Sequence, residues 1–165
     1  MVVRNGKIVS SGHHFEIDTY KEIVMKSGKE EKLPLFKALQ SEGKKLIEGV
    51  DLSKYAPGTA VYADFGGVNP EFNLTSNDRL FILNSYNLAM KKCGVRWVIG
   101  RLSNVKVAKL YENVGGRVVN KVMFERDGLK FPLYFIELDM ENPKFLELEK
   151  NFHLVEQKYF QYLNQ

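Results

Sequence analysis

The sequence predicts a mixed α/β (α+β) fold, in which helices pack on a sheet that contains at least one parallel pair of strands. The first observation is alternation: between Thr59 and Leu138, stretches of strand length alternate with stretches of helical spacing, as they do in β–α–β units. The second is a pair of hairpin turns, Asn5-Gly6 and Arg126-Asp127-Gly128. The third is size, because 165 residues, 44% of them hydrophobic, fit one domain with a substantial core.

The elements before residue 59 are weakly marked. Val2–Arg4 and Lys7–Ser11 flank the Asn5-Gly6 turn and are expected to form a hairpin. The stretch His13–Met25 alternates weakly and is expected to be extended, whereas Leu33–Gly49 has helical spacing and Gly49 as its stop.

The second half is marked more clearly. The elements expected there are a strand Thr59–Val68, a helix from about Asp78 to Cys93, a strand Val95–Gly100, a helix Asn104–Val114, strands Arg117–Phe124 and Phe131–Leu138, and a last helix that begins at Asn142-Pro143. Asn104 and Asn142 are placed as N-caps. The apolar face expected for the last helix consists of Phe145, Leu148, Phe152, Val155, Tyr159 and Leu163.

Composition favours an ordinary globular protein of the cytoplasm. The single cysteine, Cys93, excludes an internal disulfide. No apolar run approaches the roughly 20 residues that cross a bilayer, and the N-terminus lacks a secretory h-region. The pair His13-His14 does not predict a metal site, because adjacent side chains of a strand point to opposite faces.

Positive charge is concentrated between Ala89 and Pro132. This stretch holds ten Lys or Arg and three acids, a local charge of +7. Two interpretations stay open: a surface that meets a polyphosphate ligand, or a solvated basic face. Nucleic acid is not expected, since aromatic residues that could stack on bases interleave poorly with these charges.

The turn VNPEFNLTSNDRLFIL, Val68 to Leu83, joins the expected strand to a helix. Free N–H groups at such a helix start can hold a phosphate. The glycines that usually let a ligand come close are missing, and Ser76 and Asp78 can each cap the helix instead. Gly66-Gly67, just upstream, indicates a bulge or a close approach of another backbone or a ligand.

The segment NVKVAKLYENVGGRVV, Asn104 to Val119, resembles the closing segment of the GNAT family, the Gcn5-related N-acyltransferases. The matching residues are Asn104, Leu110, Tyr111, Glu112 and Gly115, whereas Gly116 stands where the family usually has an aromatic residue. Upstream, Val68-x-Pro70-Glu71-Phe72 resembles the end of the family's fourth strand. The likeness covers roughly 59–138.

This resemblance implies a GNAT-like acyl-CoA N-acyltransferase fold over one domain, 1–165. Residues 59–138 would form its core, 1–58 a divergent N-terminal part, and 142–165 an extra C-terminal helix. The implied reaction is direct transfer of an acyl group, acetyl in the first instance, from a CoA thioester to an amine, with no metal.

The resemblance also implies roles for individual residues. Tyr111 would protonate the leaving thiolate, and Asp64, which shares a strand face with Tyr62 by spacing, would be or orient the general base. The expected cofactor-binding residues are Phe65, Gly67, Val68, Asn73, Ser76, Asn77, Asp78, Arg79 and Asn104. Each role has a structural alternative: a packed tyrosine for Tyr111, a satisfied polar side chain for Asp64, a helix cap for Asn104.

Two departures from the family pattern open other functions. Asp78 puts a negative charge beside the expected pyrophosphate, where a like charge at ~4 Å costs about 4 kcal/mol at an effective dielectric of about 20. Arg79 could offset it, or the carboxylate could turn into its own cap. In addition, the hairpin comes before any helix. The alternatives are therefore a non-catalytic GNAT-like interaction module, or an acyltransferase whose donor is an acidic acyl-carrier protein. The amine acceptor is not identified, and a homodimer is a further possibility.

Overall fold

The structure, a computed structural model, describes residues 2–4, 6–17, 41, 43–126 and 128–163. Its centre is a six-stranded sheet in the order β1-β2-β3-β4-β6-β5. The strands are β1 (Val2–Arg4), β2 (Lys7–Glu16), β3 (Ala60–Val68), β4 (Trp97–Leu102), β5 (Arg117–Arg126) and β6 (Leu129–Asp139). Only β3 and β4 run parallel; the other four neighbouring pairs are antiparallel. The predicted mixed sheet is confirmed.

Three long helices follow β3 in the chain: α1 (Ser76–Lys92), α2 (Val105–Asn113) and α3 (Pro143–Leu163). Helix α1 connects β3 to β4, as a parallel pair requires a crossover connection. The predicted extra C-terminal helix is present as α3. Among the described residues, no helix is both long and apolar enough to span a bilayer.

Two apolar cores cover the two faces of the sheet, because successive strand residues point to opposite sides. On one face, Val98 and Ile136 pack with Leu88 of α1, Tyr111 of α2 and Phe145 of α3. The cluster on the other face lies under the segment before β3 and consists of Ile17, Leu46, Tyr55, Ala60, Tyr62, Ile99, Phe124, Leu133 and Phe135. Residues 43–47 of that segment are helical.

Helix α3 packs along α1 with contacts at both ends of α1. Near its beginning, the ring of Phe81 stacks on Tyr159, with centroids 4.1 Å apart, and on Phe152 at 5.5 Å. Near its end, Lys91 Nζ lies 2.7 Å from Glu149 Oε2. Asn142 caps α3, since its Oδ1 accepts the N–H of Phe145 at 3.0 Å.

Several boundaries differ from the sequence predictions. Strand β2 continues to Glu16 instead of ending at Ser11, and α1 begins at Ser76 with Thr75 as its N-cap. Ser76, predicted as a cap, is the first residue of the helix, whereas Asp78 takes part in the cap through its side chain. Val155, placed on the apolar face of α3, is 37% exposed. Of the stretch expected to be extended, His13–Glu16 lies in β2; residues 18–25 and about half of the helix expected at Leu33–Gly49 lie outside the described residues.

Gly116, the departure from the family pattern, has a structural explanation. A Cβ at this position would lie 2.9 Å from the Tyr111 carbonyl oxygen and 3.1 Å from that of Glu137. A Cβ 2.9 Å from a backbone oxygen is almost never seen, so the close approach of the end of α2 to β6 favours glycine here. An aromatic residue at this position would push the helix away from the sheet.

Candidate functional site

The parallel strands β3 and β4 pair only over their first residues. Their register runs from Ala60 opposite Trp97 to Ala63 opposite Gly100, although β3 continues to Val68 and β4 to Leu102. Beyond this last rung, β3 keeps its partner on the other side, β2. Among the described residues, no strand lies between β3 and β4 beyond this rung. An opening between the two strands therefore begins at the Ala63–Gly100 rung.

A β-bulge and a glycine coincide at the point where the strands part. His13 lies opposite Phe65 and His14 opposite Ala63, so Asp64 is an extra residue in β3. Such bulges bend a strand and increase its twist. On β4, a Cβ at Gly100 would lie 2.6 Å from the Ala63 carbonyl oxygen. The strands thus come unusually close at the last rung, and β3 bends directly after it.

The bulge changes what spacing predicted for Asp64. Strict alternation predicted that Asp64 and Tyr62 share one face; the register shift falls at Asp64, and the part predicted for Asp64 stays a prediction. The bulge expected at Gly66-Gly67 lies instead two residues earlier. The backbone of Phe65, Gly67 and Val68 follows the bulge along the opening, and their predicted part in holding a cofactor stays a prediction.

The turn after β3 is tied to β2 by the backbone. The N–H of Asn69 donates to the Val9 carbonyl at 2.9 Å, and its side-chain amide donates to the Ile8 carbonyl at 3.2 Å. The N–H of Phe72 closes the turn on the Asn69 carbonyl at 3.1 Å. These bonds direct the chain from the end of β3 to the start of α1, so the helix begins beside the opening.

A capping box closes the start of α1. Thr75 Oγ1 accepts the N–H of Asp78 at 3.2 Å, and Asp78 Oδ2 accepts both the N–H and the hydroxyl of Thr75 at 2.7 Å. The Asp78 side chain is correspondingly buried, with the residue 6% exposed. Of the two possibilities raised by its charge, the structure thus has the carboxylate turned into its own cap.

The capping box leaves two N–H groups of the first turn without a protein acceptor. A helix start has four orphan donors, and the box satisfies those of Thr75 and Asp78. Within the described residues, no acceptor contacts the N–H of Ser76 or Asn77. Both residues are exposed, as are Asn73 and Arg79. The positive end of the helix dipole and two free donors therefore face solvent beside the opening.

Helix α2 carries the other two predicted site residues. Asn104 caps it, since its Oδ1 accepts the N–H of Lys106 at 2.9 Å. Tyr111 is 4% exposed and packs in the helix-side core. Burial raises the pKa of the Tyr111 hydroxyl above its ordinary value, because the phenolate would lose its hydration. The hydroxyl therefore stays protonated at neutral pH.

The sequence reasoning missed a buried carboxylate in β6. Glu137, 4% exposed, accepts hydrogen bonds from Lys54, Tyr55 and Arg117. Burial alone would raise the pKa of Glu137, but these three donors hold it below its ordinary value. A single charge inside the apolar run FPLYFIEL was the available signal. With a lowered pKa it is a poor general base, and its position attaches the segment around Tyr55 to the sheet.

Comparison with known proteins identifies the fold. No protein-family model and no curated protein sequence matches the chain. Among solved structures, it is similar to the apo form of an agmatine N-acetyltransferase mutant, with a TM-score of 0.67, 12% identity and coverage of 83% of this chain and 73% of that one. It is likewise similar to the Drosophila melanogaster polyamine N-acetyltransferase that forms N-acetylagmatine (TM-score 0.66, 12% identity, 83% and 72% covered).

Two further structures extend this similarity. Arylalkylamine N-acetyltransferase 2 from Aedes aegypti has a TM-score of 0.65 at 12% identity, with 85% of this chain and 71% of that chain covered. The C-terminal condensation domain of Ebony, in complex with β-alanyl-dopamine, has a TM-score of 0.50 at 7% identity, with 81% and 68% covered. At these identities the likeness establishes the fold, which is that of the GNAT acetyltransferases.

Proposed function

We propose that this GNAT-fold chain is an N-acyltransferase that moves an acyl group, acetyl in the simplest case, from a CoA thioester to an amine by direct attack. The observation that supports it most is the separation of β3 and β4 beyond the Ala63–Gly100 rung, beside the free N–H groups at the start of α1. An extended, amide-containing chain can add to an exposed strand edge through backbone hydrogen bonds.

The two ends of a CoA thioester match the two parts of this site. The backbone of residues 64–68, unpaired toward β4, offers donors and acceptors to the amides of the pantetheine arm. The N–H groups of Ser76 and Asn77 point outward from a helix start and suit the pyrophosphate. Arg79, which is exposed, adds a positive charge on the same turn.

The reaction requires the amine to lose a proton and the departing thiolate to gain one. As the amine nitrogen bonds to the carbonyl carbon, the carbon–sulfur bond breaks and the amine gives up a proton to Asp64 or to a water molecule. The departing thiolate takes a proton from the Tyr111 hydroxyl. Burial raises the pKa of the Tyr111 hydroxyl, which keeps the proton on it but makes it a weaker acid than an ordinary tyrosine. Both assignments are part of the proposal.

The acceptor we propose is a primary amine. The proteins of similar fold are named for agmatine, polyamines and arylalkylamines, all of which carry one. The nitrogen that attacks the carbonyl carbon must be deprotonated. The Asp64 carboxylate, or a water molecule held by Asp64, can accept its proton.

Calorimetry with acetyl-CoA tests the binding site directly. We expect saturable heat with a dissociation constant in the micromolar to millimolar range. The sharpest variant is Ser76→Pro, because proline is tolerated at the first position of a helix yet removes the N–H proposed to bind phosphate. Its affinity should fall about fivefold, whereas Ser76→Ala, which keeps that N–H, should bind as the native chain does. No heat at millimolar acetyl-CoA contradicts the proposal.

A donor carried on a protein is the second candidate. The observation that favours it is the capping carboxylate of Asp78 in a turn without glycines, which makes a nucleotide site less favourable. The basic surface between residues 89 and 132 suits an acidic carrier, and the Ebony condensation domain shares the fold. Transfer from an acyl-pantetheinyl carrier protein without heat from acetyl-CoA identifies this case. If neither donor supports transfer, the remaining alternative is a non-catalytic module.

A further inference from the structure

Strand β5 forms one edge of the sheet, and its partner within the described residues is β6 alone. From Asn120 to Arg126 it pairs with β6 in unbroken register. An edge strand presents a row of unpaired N–H and C=O groups that can pair with another chain. The question for this edge is which groups point outward and which partner their side chains fit.

The register identifies the outward-pointing residues. In an antiparallel pair, residues that exchange two hydrogen bonds alternate with residues that exchange none. Met123 lies opposite Pro132, and proline has no N–H to donate. Met123 is therefore in a pair without hydrogen bonds, and its N–H and C=O point away from β6. Those of Lys121 and Glu125, two residues to either side, do the same, and the Lys121 N–H donates to Asn120 Oδ1 at 2.8 Å.

These three residues also share one face of β5 and are accessible. Met123 is 47% exposed, and Lys121 and Glu125 are both exposed. Charges on an edge strand normally prevent pairing. Here, however, a positive residue, an apolar residue and a negative residue follow one another at equal spacing, and that order is self-complementary.

We propose that β5 pairs with β5 of a second copy of this chain, antiparallel, about a two-fold axis through Met123. In this register Met123 faces its own copy, and Lys121 of each chain faces Glu125 of the other. Three residue pairs would exchange about six backbone hydrogen bonds, and in each chain one of them would replace the bond from the Lys121 N–H to Asn120 Oδ1. The two sheets would then continue as one across the dimer.

Neighbouring registers are less favourable, which is why the axis is assigned to Met123. An axis at Lys121 opposes two lysines, and an axis at Glu125 opposes two glutamates. Axes at Val122 or Phe124 leave Met123 opposite a charge. The existing contact of Glu125 with Lys130, 3.0 Å between exposed groups, contributes little and allows a second cation nearby.

Disulfide trapping tests the register. In a Cys93→Ser background, Met123→Cys would bring two cysteines to a Cα separation of about 5.5 Å, which a disulfide spans. Glu125→Cys is the matched control, because its copy would lie about 14 Å away along the strand. With oxidised glutathione, we expect a covalent dimer from Met123→Cys and monomer from Glu125→Cys. Equal trapping of both variants would overturn the proposed register.

Charge reversal tests the interface without a covalent link. By sedimentation equilibrium, Lys121→Glu should weaken dimerisation about tenfold or more, since like charges then face each other twice. Adding Glu125→Lys should restore the native constant within about threefold. Lys109→Glu, an equal charge change on an exposed residue of α2, should have no effect. A native chain that stays monomeric to millimolar concentration, or a double variant as weak as the single one, would refute the proposal. Circular dichroism verifies that each variant is folded.

Discussion

The carboxylate of Asp78 holds the N–H and the hydroxyl of Thr75 at the start of α1, both at 2.7 Å. The same residue that puts a negative charge near the proposed pyrophosphate therefore also stabilises the helix that would bind it. Asp78 combines two opposing effects, one on stability and one on ligand affinity, and they can be separated by substitution.

Asp78→Asn should lower stability and raise affinity together. The amide keeps an oxygen for the Thr75 N–H but removes the charge that favours a helix N-terminus, so we expect a loss of about 0.5–1 kcal/mol in the free energy of unfolding. Removing the negative charge should tighten acetyl-CoA binding several-fold. Urea unfolding and calorimetry measure the two effects. Thr75→Ala, which breaks the cap but retains the carboxylate, should lower stability without tightening binding.

Tyr111→Phe should lower kcat about tenfold or more and leave KM nearly unchanged, because the hydroxyl is proposed to act only when the thiolate leaves. The matched control is Tyr86→Phe, which removes a hydroxyl that donates to the Ser10 carbonyl at 3.3 Å, away from α2. Steady-state kinetics with a primary amine measure both. Equal turnover in the Tyr111→Phe and native chains would make Tyr111 a packing residue.

Glu137 should make stability depend on pH at the acid end. Because its pKa is lower in the folded chain than the ordinary 4.5, the unfolded chain binds the proton more tightly. The contribution is fully present above about pH 4.5 and is lost as the pH falls through the lowered pKa. Glu137→Gln should therefore flatten the stability–pH curve in this window and cost about 1–3 kcal/mol at pH 7. If the stability–pH curves of the native chain and Glu137→Gln are equally steep, the acid sensitivity belongs to residues other than Glu137.

Gly115→Ala should be clearly more destabilising than Gly94→Ala. Both glycines have positive φ, +90° and +86°, but a Cβ at Gly115 would overlap the Asn142 side chain, whereas nothing lies within 4 Å of one at Gly94. The shared backbone strain is about 1–2 kcal/mol. Displacing the Asn142 cap should add about 1 kcal/mol more for Gly115→Ala. Urea unfolding of the two variants measures this difference.

Local signals predicted the elements well and the long-range contacts poorly. The caps Asn104 and Asn142 and the alternation of β3, α1 and β4 were readable because they depend on neighbours in sequence. Two of the three partners of Glu137, Tyr55 and Lys54, lie 82 and 83 residues away, so no local pattern contains them. The bulge at Asp64 escaped prediction because its position depends on the register with β2.

The N-cap of α1 was predicted only in part from the sequence. The spacing Thr75-x-x-Asp78 fits a capping box, yet Ser76 and Asp78 were the residues expected to cap. Several adjacent polar residues can each end a helix, and the choice depends on where the preceding turn leaves the chain. Here Thr75 is the N-cap residue, and the turn that leads to it is bonded to β2 through Asn69.

The packing of α3 has a consequence for the other end of the molecule. Tyr159 and Glu149 contact α1 near its two ends, so α3 stabilises the helix whose start belongs to the proposed nucleotide site. We therefore expect loss of these α3 contacts to loosen the helix that carries those two free amides. A tag or fusion joined closely to this end would act on the site without touching it.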